Sequence, residues 1–109
     1  MAARSFRLTF DVVDTLADAE TDGYELELGR LHAVLWQNGH RHGGIPRVAS
    51  TLAMLETAGL VWTERGVPGA WPRKPGRVGL TQKAVDVLTS HGRDALRDRA
   101  TRLAKPIRP

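Results

Sequence analysis

Apolar side chains recur along this chain at two spacings, three to four residues for most of its length and two for a short stretch after residue 59, and the change of period lays out the elements. From Arg4 to Ala19, Phe6, Phe10, Val13 and Ala17, with Val12 and Leu16 beside them, make one face of a helix. Asp11, Asp14 and Asp18 fall on its other side and are expected to form a solvated face; no glycine loop of calcium-binding pattern accompanies them. A second stripe follows in Tyr24, Leu28, Leu31 and Leu35. Asp22 with Glu25 three residues on reads as a capping box that starts this helix, and Asn38-Gly39 reads as its stop. Trp36, near its end, is expected to pack under the connection that follows, with exposure to a partner as the alternative.

The stretch from Gly43 to Val61 carries the most complete helical grammar. Pro46 suits a first turn, where its missing N–H leaves no bond unmet, and Ala58-Gly59-Leu60 reads as a Schellman stop in which Leu60 folds back on Leu55. Val48, Leu52 and Leu55 form the inward stripe, with Ala49 beside it, while Arg47, Ser50, Thr51 and Met54 follow the same spacing on the other side. Such a face suits either a major groove or plain solvent.

Alternation takes over in LVWTER, with Val61 expected to point inward, and returns in RVGLT. Between them GVPGAWPRKPG, rich in glycine and proline, predicts a loop. Thr81 is a good N-cap for a further helix through TQKAVDVLTSHG, whose Ala84, Val85 and Leu88 face the core. Gly92 allows a break, and RDALRDRATRLAKP continues helically to Pro106 with Leu96, Ala100 and Leu103 on a narrow stripe.

The predicted fold is therefore mainly α with a small β-hairpin: a winged helix-turn-helix with a three-helix core, a two-stranded wing and a C-terminal helix. Its domain spans residues 1–92, and 93–109 form a helical extension and tail. With 109 residues there is room for one modest core. No apolar run is long enough for a bilayer span and the first residues lack the apolar stretch of an export signal, so the expected address is cytoplasmic. The absence of cysteine removes disulfides, thiolate metal sites and thiol nucleophiles.

Charge changes the picture most. Residues 1–29 hold two basic and seven acidic side chains, residues 30–83 eight basic and two acidic, and residues 84–109 six basic and three acidic. The Gly43–Val61 helix and the loop after it thus lie in the positive part of a chain of net charge +4, which suggests a polyanionic partner. Double-stranded DNA is the expected one. Arg47, Ser50 and Thr51, with Met54, are the candidates for base edges, and Arg41, Arg65, Arg73, Lys74 and Arg77 with Trp71 for the backbone or minor groove. His40, Arg41 and His42 form a basic loop able to touch phosphate; with His32 they do not reach a familiar metal-ligand spacing, so neither metal nor cofactor is expected. No nucleophile with base, paired acid or phosphate loop can be assembled, and an enzyme is not expected. The stripe of Leu96, Ala100 and Leu103 is a candidate homodimer contact, with a back-packed tail as the alternative. A protein-interaction module docking through Trp36, Trp71 or that stripe is the other functional reading.

Over residues 8–90 the chain resembles the PadR-like winged-helix transcriptional regulators. The likeness rests on Asp22-Gly23-Tyr24-Glu25-Leu26, on Val48, Leu52, Leu55-Glu56 and Ala58-Gly59-Leu60-Val61, and on Arg77-Val78-Gly79-Leu80-Thr81-Gln82-Lys83. It implies a DNA-binding fold. Ala49 and Ser50 stand where that family commonly has tyrosine and proline, and the second helix with its loop reads about two turns longer than the resemblance implies.

Overall fold

In chain order the elements are α1 (Arg7–Asp22), β1 (Leu26–Glu27), α2 (Leu28–Gln37), α3 (Gly44–Thr57), β2 (Val61–Glu64), β3 (Arg77–Leu80) and α4 (Gln82–Ala104). The structure, a computed structural model, describes residues 7–40 and 44–104, and the side chains of all these except 44, 45, 103 and 104. Within them the protein is mainly helical, with a small antiparallel sheet of three strands ordered β1-β3-β2.

The third strand departs from the expected hairpin. Asp22 does not open α2; it closes α1, where Gly23 at φ +74° turns the chain and Tyr24 N–H donates to the Ala19 carbonyl at 3.1 Å. Leu26 and Glu27 then pair with Val78 and Arg77 as β1, and α2 starts only at Leu28, with no side-chain cap. The second helix is thus ten residues long rather than extended. Its first N–H donates to the Gly76 carbonyl at 2.9 Å, which ties the helix start to the end of the β2–β3 loop.

Helix ends explain the turns. After α3, Leu60 N–H reaches the Leu55 carbonyl and Gly59 N–H the Glu56 carbonyl, both at 3.0 Å, with Gly59 at φ +78°, the paired bonds of a Schellman stop. After α2 the same pair recurs from His40 to Leu35 and Gly39 to Trp36. Thr81 caps α4: its hydroxyl accepts from Ala84 N–H at 3.3 Å and donates to the Gly59 carbonyl at 2.6 Å, joining the start of α4 to the end of α3.

In the register Val61↔Leu80 and Thr63↔Val78, alternate residues share a sheet face. Val61, Leu80, Val78 and Leu26 turn inward onto Leu16 of α1, Leu31 and Leu35 of α2, and Leu55 of α3, all in one apolar core. Val48 and Leu52 join it as expected, whereas Ala49 is exposed. Leu8 belongs to the core as well; Phe6 lies outside the described residues.

The C-terminal stripe is corrected here. Leu96 and Ala100 are each 1% exposed, in the same core, because α4 bends at Gly92 (φ 87°, ψ 179°) and its second half packs along α1. They are therefore no dimer surface, and this part of residues 93–109 is continuous with the main core; the Leu103 side chain lies outside the described residues.

Candidate nucleic-acid interface

Asp11, Asp14 and Asp18 of α1 are not simply a solvated face, for each of the three meets a cation or histidine from elsewhere. Asp14 receives two hydrogen bonds from Arg97 of α4, one from Nε at 2.9 Å and one from Nη2. Asp18 receives Arg93 Nη2, and Asp11 pairs with Nε2 of His40. Arg97 also lies 5.6 Å from the centroid of the Phe10 ring. The hydrogen bond to Asp14 is the main reason that the Arg97 pKa is raised above its ordinary value. His40, expected to touch phosphate, is thereby held against α1; Arg41 and His42 lie outside the described residues.

This pairing redraws the positive surface. Arg93 and Arg97 pair with acids of α1, Arg102 with Asp98, and Arg77, a candidate for phosphate, donates to Glu25 at 2.7 Å in an exposed pair. Arg30, Arg47, Arg65, Arg73, Lys74, Lys83 and Arg99 have no ion-pair partner among the described residues. Three of the seven, Arg65, Arg73 and Lys74, sit on the β2–β3 loop.

That loop is built rather than slack. Val67 N–H donates to the Lys74 carbonyl at 2.8 Å, closing the loop with a backbone bridge. Ala70 N–H returns to the Val67 carbonyl at 3.2 Å across Pro68-Gly69, where proline precedes a glycine at φ +73°, as a type II turn requires. At its neck Gly66 and Gly76 press together: a Cβ on Gly66 would lie 2.6 Å from the Gly76 nitrogen. The Trp71–Pro72 peptide is cis. The outcome is a tip on which Trp71 is 96% exposed beside exposed Arg73 and Lys74.

On α3, Arg47 and Ser50 are exposed, but Thr51 and Met54 are half-buried on the flank. Thr51 donates its one hydroxyl proton to the Arg47 carbonyl at 3.0 Å and keeps only acceptor capacity. Ala49, Ser50, Ala53, Glu56 and Thr57 make the most exposed line, a surface of mostly small side chains. Helix and loop are linked through β2, since Thr63 donates to Glu56 Oε1 at 2.8 Å.

Two further tryptophans lie on the surface. Trp36, expected to be buried, is 54% exposed on α2. Trp62 lies across the backbone of Gly79, its direct partner on β3; a Cβ there would fall 2.6–2.8 Å from three indole atoms. The period-two pattern of β2 carried the orientation of Trp62, but its role against a glycine seventeen positions away had no local signal. Among the described residues no three histidines, aspartates or glutamates converge on a metal-sized site, and no helix is long and apolar enough to cross a membrane.

No protein-family model, curated protein or solved structure matches the chain.

Proposed function

We propose that this protein is a winged helix-turn-helix DNA-binding transcriptional regulator of the PadR-like kind, in which α3 enters the major groove and the β2–β3 loop is the wing on the backbone or minor groove. The observation that carries the reading is the loop itself: a tip closed by backbone bonds, bearing a bare indole beside Arg73 and Lys74, with Arg65 at the loop's base. Cations held without internal partners are free to neutralise phosphates and release counterions. The order of elements, with a strand before α2 that pairs with the hairpin, supports it too. Arg47 and Ser50 are the readers of base edges, while the small line through Ala49 and Ala53 lets the helix backbone come close to the groove. Binding to duplex DNA measured across a salt series tests the proposal. The expected result is an affinity that falls linearly in log–log form with salt, by a slope set by the phosphates neutralised. No binding at low salt, or a flat slope, overturns it.

The exposure of Trp36 favours a second reading, a winged helix that docks a protein partner. Quenching of tryptophan fluorescence by duplex DNA decides between them, since Trp71 responds in the first and remains silent in the second.

A further inference from the structure

Where β1 stops pairing with β3, the Gly79–Leu80 end of β3 borders a small cavity of about 140 Å³. Its walls include Ala19 and Glu20 of α1, Tyr24 and Glu25 of the connection to β1, and Trp62 of β2 laid on Gly79. Both aromatic residues are part-exposed, so each presents ring surface to whatever enters. The Tyr24 backbone is held by its bond to the Ala19 carbonyl after the Gly23 turn, and the Trp62 indole rests on a strand position where only glycine leaves room for it.

Two aromatic residues and two carboxylates around one small cavity make a locally negative site on a chain whose net charge is positive. Glu25 is already engaged by Arg77, but Glu20 has no ion-pair partner among the described residues. An anion is repelled here, and a small neutral group gains only apolar contact. An organic cation gains the ring quadrupoles and the Glu20 charge together.

We propose that this cavity binds an alkylammonium head group, either of a small quaternary amine or of a methylated lysine side chain. The site involves neither the β2–β3 loop tip nor the exposed face of α3, so it stands whether or not the protein binds DNA.

The test uses the full chain and follows the Gly79 amide and the Trp62 indole N–H by two-dimensional NMR, with the indole signal assigned from Trp62→Leu. Choline is titrated against 3,3-dimethylbutan-1-ol, its uncharged carbon analogue, and against a short peptide bearing trimethyl-lysine. Saturable shifts of both signals by choline, with binding by the alcohol about tenfold weaker, are expected. Glu20→Gln, a surface change that leaves packing intact, weakens choline binding several-fold. Trp62→Leu keeps an apolar cover and removes most of the binding, and Trp71→Ala leaves it unchanged. Tighter binding of the peptide than of choline assigns the head group to a protein partner, and equal binding assigns it to a small molecule; either supports the site. Equal shifts by choline and the alcohol, or no saturable shift with choline and peptide alike, overturn it.

Discussion

Arg97 of α4 and Asp14 of α1 form a two-pronged pair, with Nε and Nη2 of one guanidinium on the two oxygens of one carboxylate, and the pair joins positions 83 residues apart. A forked arginine–carboxylate contact is both stronger and more directional than a point-charge pair. Because the groups are only partly screened from water, the contribution falls between that of a surface pair and that of a buried one. Arg97→Met should cost about 1–2 kcal/mol in urea unfolding. A double-mutant cycle with Asp14→Asn should show that the two changes are not additive. Full additivity would mean that the α1–α4 contact is apolar packing alone.

The same pair fixes an expectation for pH. The Arg97 pKa is raised by its bond to Asp14. A cation whose folded pKa is raised contributes stability fully below its unfolded pKa and loses it only as pH rises through the folded one. For arginine that window lies beyond the alkaline limit of ordinary measurement. The difference in stability between wild type and Arg97→Met should therefore stay constant from neutral to moderately alkaline pH. A difference that shrinks over that range would count against the assignment.

Leu96 and Ala100 test whether the C-terminal half of α4 is part of the fold. Buried to 1% exposure, Leu96 leaves a cavity when truncated, so Leu96→Ala should cost about 2–5 kcal/mol, a fall in Tm of roughly 10 °C or more. A chain ended at Gly92 loses Leu96, Ala100, Arg93 and Arg97 together and should not unfold cooperatively. A stable truncated chain with an unchanged melting curve would restore the division at residue 92.

What the sequence made legible was what local grammar encodes. The Schellman stop at Gly59, the cap at Thr81, the break at Gly92 and the inward set Val48, Leu52 and Leu55 each depend on residues within a turn of one another, and each appears in the structure. β1 was hidden because two residues carry no periodicity, and because Asp22 to Glu25 has the pattern of a helix start while serving as a helix end. The Asp–Arg pairs were hidden for another reason: charge counts by segment show the imbalance of α1 and α4 but not that the two helices cancel it face to face. Of the candidate site, Arg65, Trp71, Arg73 and Lys74 lie exposed on the β2–β3 loop. The pairing of Arg77 with Glu25, 52 positions away, had no local signal.

Backbone conformation gives a further prediction. Gly59 at φ +78° lies where a Cβ costs roughly 1–2 kcal/mol, and only the tail of Lys83 is near enough to meet one. Strain rather than collision should set the effect, so Gly59→Ala should destabilise by about that amount and Gly59→Asn by less, since asparagine tolerates this region. Equal losses in thermal unfolding would point to crowding by Lys83 instead.

The loop and the helix should fail differently when their cations are removed. Arg73 and Lys74 project from a loop tip, so on the proposed reading their work on DNA would be neutralisation of phosphate, which carries no sequence information. Arg73→Ala with Lys74→Ala should weaken binding to every duplex alike and reduce the salt slope by about two. Arg47 projects from a helix, with Ser50 beside it, and a guanidinium on a base edge discriminates by about 1–3 kcal/mol. Arg47→Ala should therefore alter the ranking of duplexes of different sequence and change the salt slope little. Trp71→Ala should lower affinity without altering that ranking, because an indole at a loop tip packs on sugar or enters the minor groove, where readout is degenerate. Competition between duplexes at two salt concentrations separates these effects. If the loop variant reordered the sequences and the Arg47 variant did not, the division of labour between α3 and the β2–β3 loop would be the reverse of the one argued from their exposure.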